Sequence, residues 1–517
     1  MKQLLTVFLG FIFVAALAAQ PSIEWQKCFG GSKSDVPLVF LKLTDGNYII
    51  GGQVLSNDGD ISGLQGPSDI WLAKIDQLGS IIWQHTYGGS SSERPVSIQE
   101  ATVGGYIMLG VTSSEDGDVS GYHGGSSDIW VVKMDEDGGI EWQKTYGGTG
   151  TDSGSSMLQH INGGYIIGGS TNSTDGDVSN SKGLHDGWVI RINEAGNILW
   201  EHSYGGSGQD FGSIFSTNGS GYILGLTTGS YDGDVNFGNH GSGDVWLAKL
   251  TDTGSIAWKR IYGGSGQDNL GMIMQTSDGG YLVTSYTKSN DFDVSGNHGE
   301  ADLWVLKLNA IGLVQWKKTL GGSDFDFGGA IFETDEHDFI LSCTTGSSDG
   351  DISVNYGSDD AWLIKLSSTG SLLWEKTYGG TYSENGGIIL PADDGGLFML
   401  RGTYSNDIDV SGNNGSQDFW LVKFSPELVS SNEPVAAQSG VLDIFPNPSQ
   451  ESITLNIPAE ETLLQVKITD MLGREVVSQR IQTGGSVSVA ALPNGIYWAI
   501  ATTLEGKVYS NKFKKQE

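Results

Sequence analysis

Two interleaved tryptophan series run through the chain with one period. Trp25, Trp83, Trp142, Trp200, Trp258, Trp316 and Trp374 lie 58 or 59 residues apart, as do Trp71, Trp130, Trp188, Trp246, Trp304, Trp362 and Trp420. The first six members of the second series each precede a member of the first by 12 residues. A fixed period of this length marks a repeat architecture, in which no unit can bury its apolar face without a neighbour. Seven such units must therefore stack, either in a line or in a ring.

Each unit reads as four strands. In the first, Pro37 to Leu43 is a short apolar strand, and Asp45-Gly46-Asn47 turns the chain into Tyr48 to Val54. A long loop containing Asp58-Gly59-Asp60 leads to a third strand, Asp69 to Ile75, around Trp71. The turn Gln77-Leu78-Gly79 then leads to a fourth, around Trp83, ending at Tyr87-Gly88-Gly89. Gly beside Asp or Asn supplies the positive φ that hairpins need. No helical period competes, and four-stranded units at fixed spacing are propeller blades. Small pairs such as Gly154/Ser155, Gly212/Ser213, Gly328/Gly329 and Gly386/Gly387 mark the innermost strand, which crowds its counterparts around the axis; Pro37 and Pro95 depart from this.

The ends decide between line and ring. The repeats open with a lone fourth-type strand, Ile23 to Phe29, and close with a third-type strand, Asp418 to Phe424, that lacks an outer partner. Pairing the two closes the ring and removes an exposed edge. A linear solenoid would need capping units, and none is visible. The expectation is an all-β chain: a seven-bladed β-propeller over 20–424, its last blade completed by the N-terminal strand. The stretch Trp304 to Trp316, with Gly312 four residues before the second indole, resembles the tryptophan-docking motif of quinoprotein-type propellers. That resemblance implies blade-to-blade packing and no quinone site.

Residues 1–19 read as a secretory signal: Lys2, an apolar run from Leu4 to Leu17, then Ala18-Ala19, with cleavage leaving Gln20 or Pro21 first. The run is short for a membrane anchor. An exported protein could bridge Cys28 to Cys343, but they fall on different blades, so two unpaired, packed thiols are expected.

The net charge of −33 sits in the repeats, since residues 441–517 hold 8 acids and 7 bases. Such a field disfavours nucleic acid and favours cations. Four acidic positions recur in every unit. The first is Asp35, Glu93, Asp152, Asp210, Asp268, Asp326 and Glu384; the fourth is Asp69, Asp128, Asp186, Asp244, Asp302, Asp360 and Asp418. Between them lies an Asp-x-Asp pair, such as Asp58/Asp60, Asp116/Asp118 and Asp175/Asp177. The loops that carry these acids open on one face of a propeller, which should be ringed with carboxylates. One reading is turn chemistry, with Asp accepting backbone N–H bonds. The other is calcium, with Asp-x-Asp and the following Asp as three oxygen ligands per unit: Asp58, Asp60 and Asp69; Asp116, Asp118 and Asp128; Asp175, Asp177 and Asp186. A base also recurs three residues after each second-series tryptophan, from Lys74 to Lys423, as a structural ion pair would require. His123, His240 and His298 read as loop surface.

No catalytic constellation stands out. The phosphate loop and His-Glu-x-x-His are absent from the sequence. The leading expectation is an exported binding or scaffold protein whose ligand, a glycan or a protein, meets the propeller face. The rival is a polysaccharide-degrading or other hydrolytic enzyme on the same scaffold, which should break sevenfold symmetry with one atypical blade or a long insertion; the period varies by one residue and no insertion appears.

After a polar linker, 425–441, the composition changes. Phe445-Pro446-Asn447-Pro448 opens a run of alternating strands, followed by Asp470-Met471-Leu472-Gly473-Arg474, Leu492-Pro493-Asn494-Gly495-Ile496-Tyr497 and a basic end, Lys512-Phe513-Lys514-Lys515. The pattern is that of a small β-sandwich over 442–517. These motifs, in this order, resemble the type A C-terminal sorting domain of type IX secretion, found in Bacteroidota. The resemblance implies recognition by the type IX machinery, passage through the periplasm and outer membrane, and removal of the domain. Release, or attachment to surface lipopolysaccharide, would follow.

Overall fold

A computed structural model describes residues 20–217, 221–426, 438–456, 463–469, 475–479, 485–503 and 508–516. The expected signal segment, 1–19, lies outside them, as do 427–437 of the expected linker and the turn at 470–474. Among the described residues all regular elements are strands. The chain divides into two compact units, Gln20–Pro426 and a C-terminal unit from Glu427.

The first unit is seven four-stranded antiparallel sheets. Blade 1 runs Asp35–Lys42, Tyr48–Val54, Asp69–Ile75 and Ile81–Tyr87 from axis to rim. The inner strand starts two residues before the expected Pro37, because Asp35 already pairs with Val54. Blades 2 to 6 repeat this order, and blade 7 runs Glu384–Pro391, Leu397–Thr403 and Asp418–Phe424. Its outer place is filled by Ile23–Phe29, which pairs antiparallel with Asp418–Phe424. Neighbouring inner strands pack against each other around the axis, and that of blade 7 returns to that of blade 1, closing the ring.

Both tryptophan series do the work their period implies. Trp71 and its six counterparts on the third strands are fully buried between blades. In five blades the indole N–H is satisfied by the residue after the first-series tryptophan, as in Trp71 to Gln84 (2.6 Å), Trp188 to Glu201 (2.8 Å) and Trp420 to Gln26 (2.6 Å). Five first-series indoles, those of Trp25, Trp142, Trp200, Trp258 and Trp316, dock on a glycine in the next blade. Gly312 holds φ +78°, and a Cβ there would lie 2.9 Å from the Trp258 ring. A tyrosine ending each of several outer strands fastens the same contact: Tyr87 donates to the carbonyl of Gly138 (2.7 Å) and Tyr146 to that of Gly196 (2.6 Å). Cys28 and Cys343 are buried and unpaired.

The C-terminal unit is a small sandwich. A five-stranded sheet comprises Gln438–Val441, Val508–Lys515, Gly495–Thr503, Leu463–Thr469 and Glu475–Gln479, in that spatial order. A three-stranded sheet holds Asp443–Phe445, Ser452–Asn456 and Ser486–Ser488. Ile453, Leu455, Val466, Ile468, Tyr497 and Phe513 fill the core. Gln438–Val441, the end of the stretch that reads as linker, is a strand lying parallel to Val508–Ser510. Gln-Ser-Gly-Val carries no alternation that would have revealed it.

Candidate functional site

The recurring acids meet at the seams between blades. At each seam the outer strand of one blade passes through a Gly-Gly pair into the inner strand of the next. The first-position acid donates its backbone N–H to the carbonyl just before the fourth-position Asp of the preceding blade. Examples are Glu93 to Ser68 (3.0 Å), Asp152 to Ser127 (2.8 Å) and Asp268 to Gly243 (2.7 Å). One main-chain bond thus pins two buried carboxylates on either side of the first glycine. All fourteen are 0–1 % exposed.

Their oxygens are unequally satisfied. In the fourth-position Asp, Oδ2 accepts a backbone N–H from the preceding loop: Gln65 to Asp69 (2.5 Å), His123 to Asp128 (2.7 Å), His240 to Asp244 (2.8 Å). Oδ1 of Asp128, Asp186, Asp244, Asp302, Asp360 and Asp418 is buried with no hydrogen-bond partner. Burial pushes these carboxyls up, and the neighbouring acid adds to the push. Asp128 and Asp418 rise to about 6, and Asp244 and Asp360 to about 7. Asp69 and Asp186 move the same way.

The Asp-x-Asp pairs clamp the glycines from the solvent side. Asp58 accepts from the N–H of Ser32 (2.7 Å), Asp116 from Ser90 (2.7 Å) and Asp175 from Thr149 (2.8 Å). Asp60, Asp118 and Asp177, half-buried, face the N–H of Gly30, Gly88 and Gly147 at 3.1–3.3 Å. Asp58 and Asp60 therefore serve the seam of blades 7 and 1, while Asp69 serves that of blades 1 and 2. The three acids grouped by sequence within one unit fall on two seams, and the same holds for Asp116, Asp118 and Asp128 and for Asp175, Asp177 and Asp186. Among the described residues no group of three His, Cys, Asp or Glu side chains could hold a metal ion.

The recurring bases pair elsewhere. Lys74 meets Asp45 (2.8 Å), Lys307 meets Asp278 (2.8 Å) and Lys423 meets Asp394 (2.8 Å), all acids in the turn between the first and second strands. In blade 3 that turn has no acid, and Arg191 donates to the carbonyls of Gly163 and Tyr165. The loop histidines, read as surface, touch the seams: His123 Nδ1 lies 2.8 Å from Asp128 and His298 Nδ1 2.7 Å from Asp302. Their spacing of four or five residues before the acid was the available clue.

The axial channel opens on this same face. A cavity of about 580 Å3 lies along the axis among Ser155, Ser213, Gly271, Met272 and Gly328. Two more occupy the mouth: about 410 Å3 lined by Leu38, Arg94, Ser153, Phe211 and Leu270, and about 420 Å3 lined by Phe327, Thr344, Asp359 and Asn385. The residue following the first-position acid points to this mouth's asymmetry. It is Val36, Arg94, Ser153, Phe211, Asn269, Phe327 and Asn385 in turn, while the acid before it never changes character. Aromatic rings pair at two places: His185 lies 5.0 Å from Phe211, and Tyr286 meets Phe327 edge-on at 5.2 Å. Arg94, which lines the same cavity as Phe211, donates to Ser153 (3.0 Å).

Comparison with known proteins separates the two units. The regulatory protein FlaEY of Caulobacter vibrioides is 25 % identical over 196 residues, covering 36 % of this chain; the match spans a fifth of FlaEY. Among solved structures, a protein of unknown function from Dyadobacter fermentans is 12 % identical with a TM-score of 0.40, over 78 % of this chain and 99 % of the other. The parainfluenza virus 5 hemagglutinin-neuraminidase ectodomain is 7 % identical with a TM-score of 0.41, over 79 % and 84 %. Residues 443–515 match the family described as the secretion system C-terminal sorting domain. This chain is a seven-bladed β-propeller followed by a type IX secretion C-terminal sorting domain, and so a protein exported to the cell surface or beyond.

Proposed function

We propose that the chain is an exported binding protein that holds a glycan at the mouth of the axial channel. The observation that carries this reading is the break in sevenfold symmetry at one repeat position. The carboxylates, tryptophans and glycines recur because every seam needs them, whereas the residue after the first acid has been freed to differ. Ligand sites combine apolar and aromatic walls with a few placed polar groups. Phe211 and Phe327 supply faces for sugar rings, and Arg94, Ser153 and Asn385 supply hydrogen bonds to hydroxyls.

Export follows two signals in this reading. Residues 1–19 direct the chain across the inner membrane, and the sorting domain hands it to the type IX machinery. After the domain is removed, the propeller is released or joined to surface lipopolysaccharide. The binding test is a glycan array probed with the full chain and with Phe211→Ala and Arg94→Ala. Capture of a defined glycan set, weakened about tenfold or more by either substitution, is expected. No capture, or capture unchanged by both, overturns the reading; a hit only on a protein array replaces the glycan with a protein ligand.

A further inference from the structure

The seams bury carboxylate oxygens that the protein chain leaves without a donor. Fourteen carboxylates are taken out of water in seven pairs, and a buried carboxylate oxygen without a partner is costly. The paired oxygens close on the first glycine of the seam from two sides. A Cβ placed on Gly205 would lie 2.5 Å from Asp186 Oδ1 and 2.5 Å from Asp210 Oδ2; on Gly147 the distances are 2.8 Å to Asp128 Oδ1 and 2.7 Å to Asp152 Oδ2. The same two-sided approach recurs at all seven seams, so a side chain at this glycine would collide with the carboxylates. One oxygen of each pair, the Oδ1 of the fourth-position Asp, has no hydrogen-bond partner at six of the seven. Backbone donors already serve the opposite oxygen of that Asp. The facing oxygen of the first-position acid is served too, as Asp210 Oδ2 is by the Gly206 N–H (2.8 Å) and the Ser230 hydroxyl (2.7 Å). Turn chemistry therefore leaves the inward oxygen of the fourth-position Asp unexplained.

We infer that each seam is a cation site, formed by the fourth-position Asp of one blade and the first-position acid of the next, and that calcium is its ion. A buried carboxylate oxygen without a donor, facing a second carboxylate, suits a hard cation, whose other positions are filled by water or carbonyls. The half-buried second acid of the Asp-x-Asp pair, held on the N–H of the first glycine, gives the ion a negatively charged path from solvent. Because each site is built from two blades, occupancy ties neighbours together, and the seam that joins blade 7 to blade 1 ties the ends of the ring. Chelation then weakens the whole propeller rather than one loop.

The test uses the full chain, stripped with EDTA and dialysed against radioactive calcium at about 1 mM in 0.15 M KCl at pH 7.5. Bound calcium approaching about seven per chain is expected, with a rise in melting temperature of about 5 °C over NaCl of matched ionic strength. The variant Asp128→Asn/Asp244→Asn/Asp360→Asn keeps the shape of three seams and removes their charge. It should bind about three ions fewer and melt higher than the parent in EDTA. Less than one calcium bound by the parent overturns the inference. So does a melting temperature that NaCl raises equally, or one that acidification to pH 5 raises in EDTA as far as calcium does at pH 7.5, since protons would then fill the seams.

Discussion

Deleting residues 20–29 should open the ring. This segment is the outer strand of blade 7, and it carries Phe29, which is fully buried, and Trp25, whose ring meets Phe398 edge-on at 5.6 Å. Gln26 caps the indole of Trp420, and Glu24 pairs with Lys423 at 3.2 Å. Each ladder hydrogen bond contributes about 1 kcal/mol net. Ordering each residue costs about 1–2 kcal/mol. Those two terms nearly cancel, which leaves side-chain burial in control. Phe29 contributes about 2–3 kcal/mol and the partly buried Trp25 with its aromatic contact about 2 kcal/mol more. The loss of about 5 kcal/mol is comparable with the whole stability of many domains. Urea unfolding of the full and truncated chains, followed by tryptophan fluorescence, measures it. A synthetic peptide of residues 20–30 should restore part of the loss by pairing with Asp418–Phe424. Phe29→Ala tests the same contact more gently and should cost about 3–5 kcal/mol. Equal urea midpoints for parent, truncation and Phe29→Ala would refute closure by this strand.

Three further outcomes are expected. Removing residues 443–515 should leave a folded propeller in the periplasm, seen by fractionation and protease shaving of whole cells. Gly312→Ala places a side chain at φ +78° against Trp258 and should cost about 1–2 kcal/mol in thermal unfolding. Partial burial raises the Asp278 carboxyl, but the Lys307 ammonium outweighs it and holds the group down at about 2. Its contribution is present above the unfolded value near 4 and lost as pH falls through about 2. Because Asp278 is half exposed, Asp278→Asn should cost only about 1 kcal/mol at pH 7 and nothing at pH 2.

The blades were legible because tryptophan is rare and its burial between neighbouring blades is repeated. Trp71 and Trp83 stand on adjacent strands of one sheet, so their 12-residue spacing reports the hairpin that joins them. Ring closure was legible for a similar reason: an unpaired strand at each end implies a pairing. The seams were not. Asp69 lies 9 residues after Asp60 in sequence but across a blade from it, and its partner Glu93 follows it by 24. Grouping by proximity along the chain therefore joined acids that belong to different seams. The recurring lysines misled in a milder way. An ion pair was expected, but nothing in the spacing favoured Asp45 or Asp278 over the more numerous face acids. Only strand order places the first turn beside the third strand. The channel mouth was invisible because its residues are defined by failing to repeat.

The seam carboxylates give stability a pH dependence with a definite sign. In EDTA, Asp244 and Asp360 titrate at about 7 and Asp128 and Asp418 at about 6, because burial and the facing acid disfavour the charged form. The same groups titrate near 4 when unfolded. The folded protein therefore holds protons that the unfolded chain has released, and the stability they confer is complete below about pH 4 and drains away as pH rises towards 7. For Asp244 alone the change is about 3–4 kcal/mol at most, since each unit corresponds to about 1.4 kcal/mol. Urea midpoints measured from pH 4.5 to 8 in EDTA should fall steadily, and Asp244→Asn should fall less steeply than the parent. Millimolar calcium should flatten the parent's curve by occupying the seams that protons leave. A midpoint in EDTA that rises between pH 4.5 and 7 would show that the paired acids are not held close and buried, and the argument for the seams would fail with it.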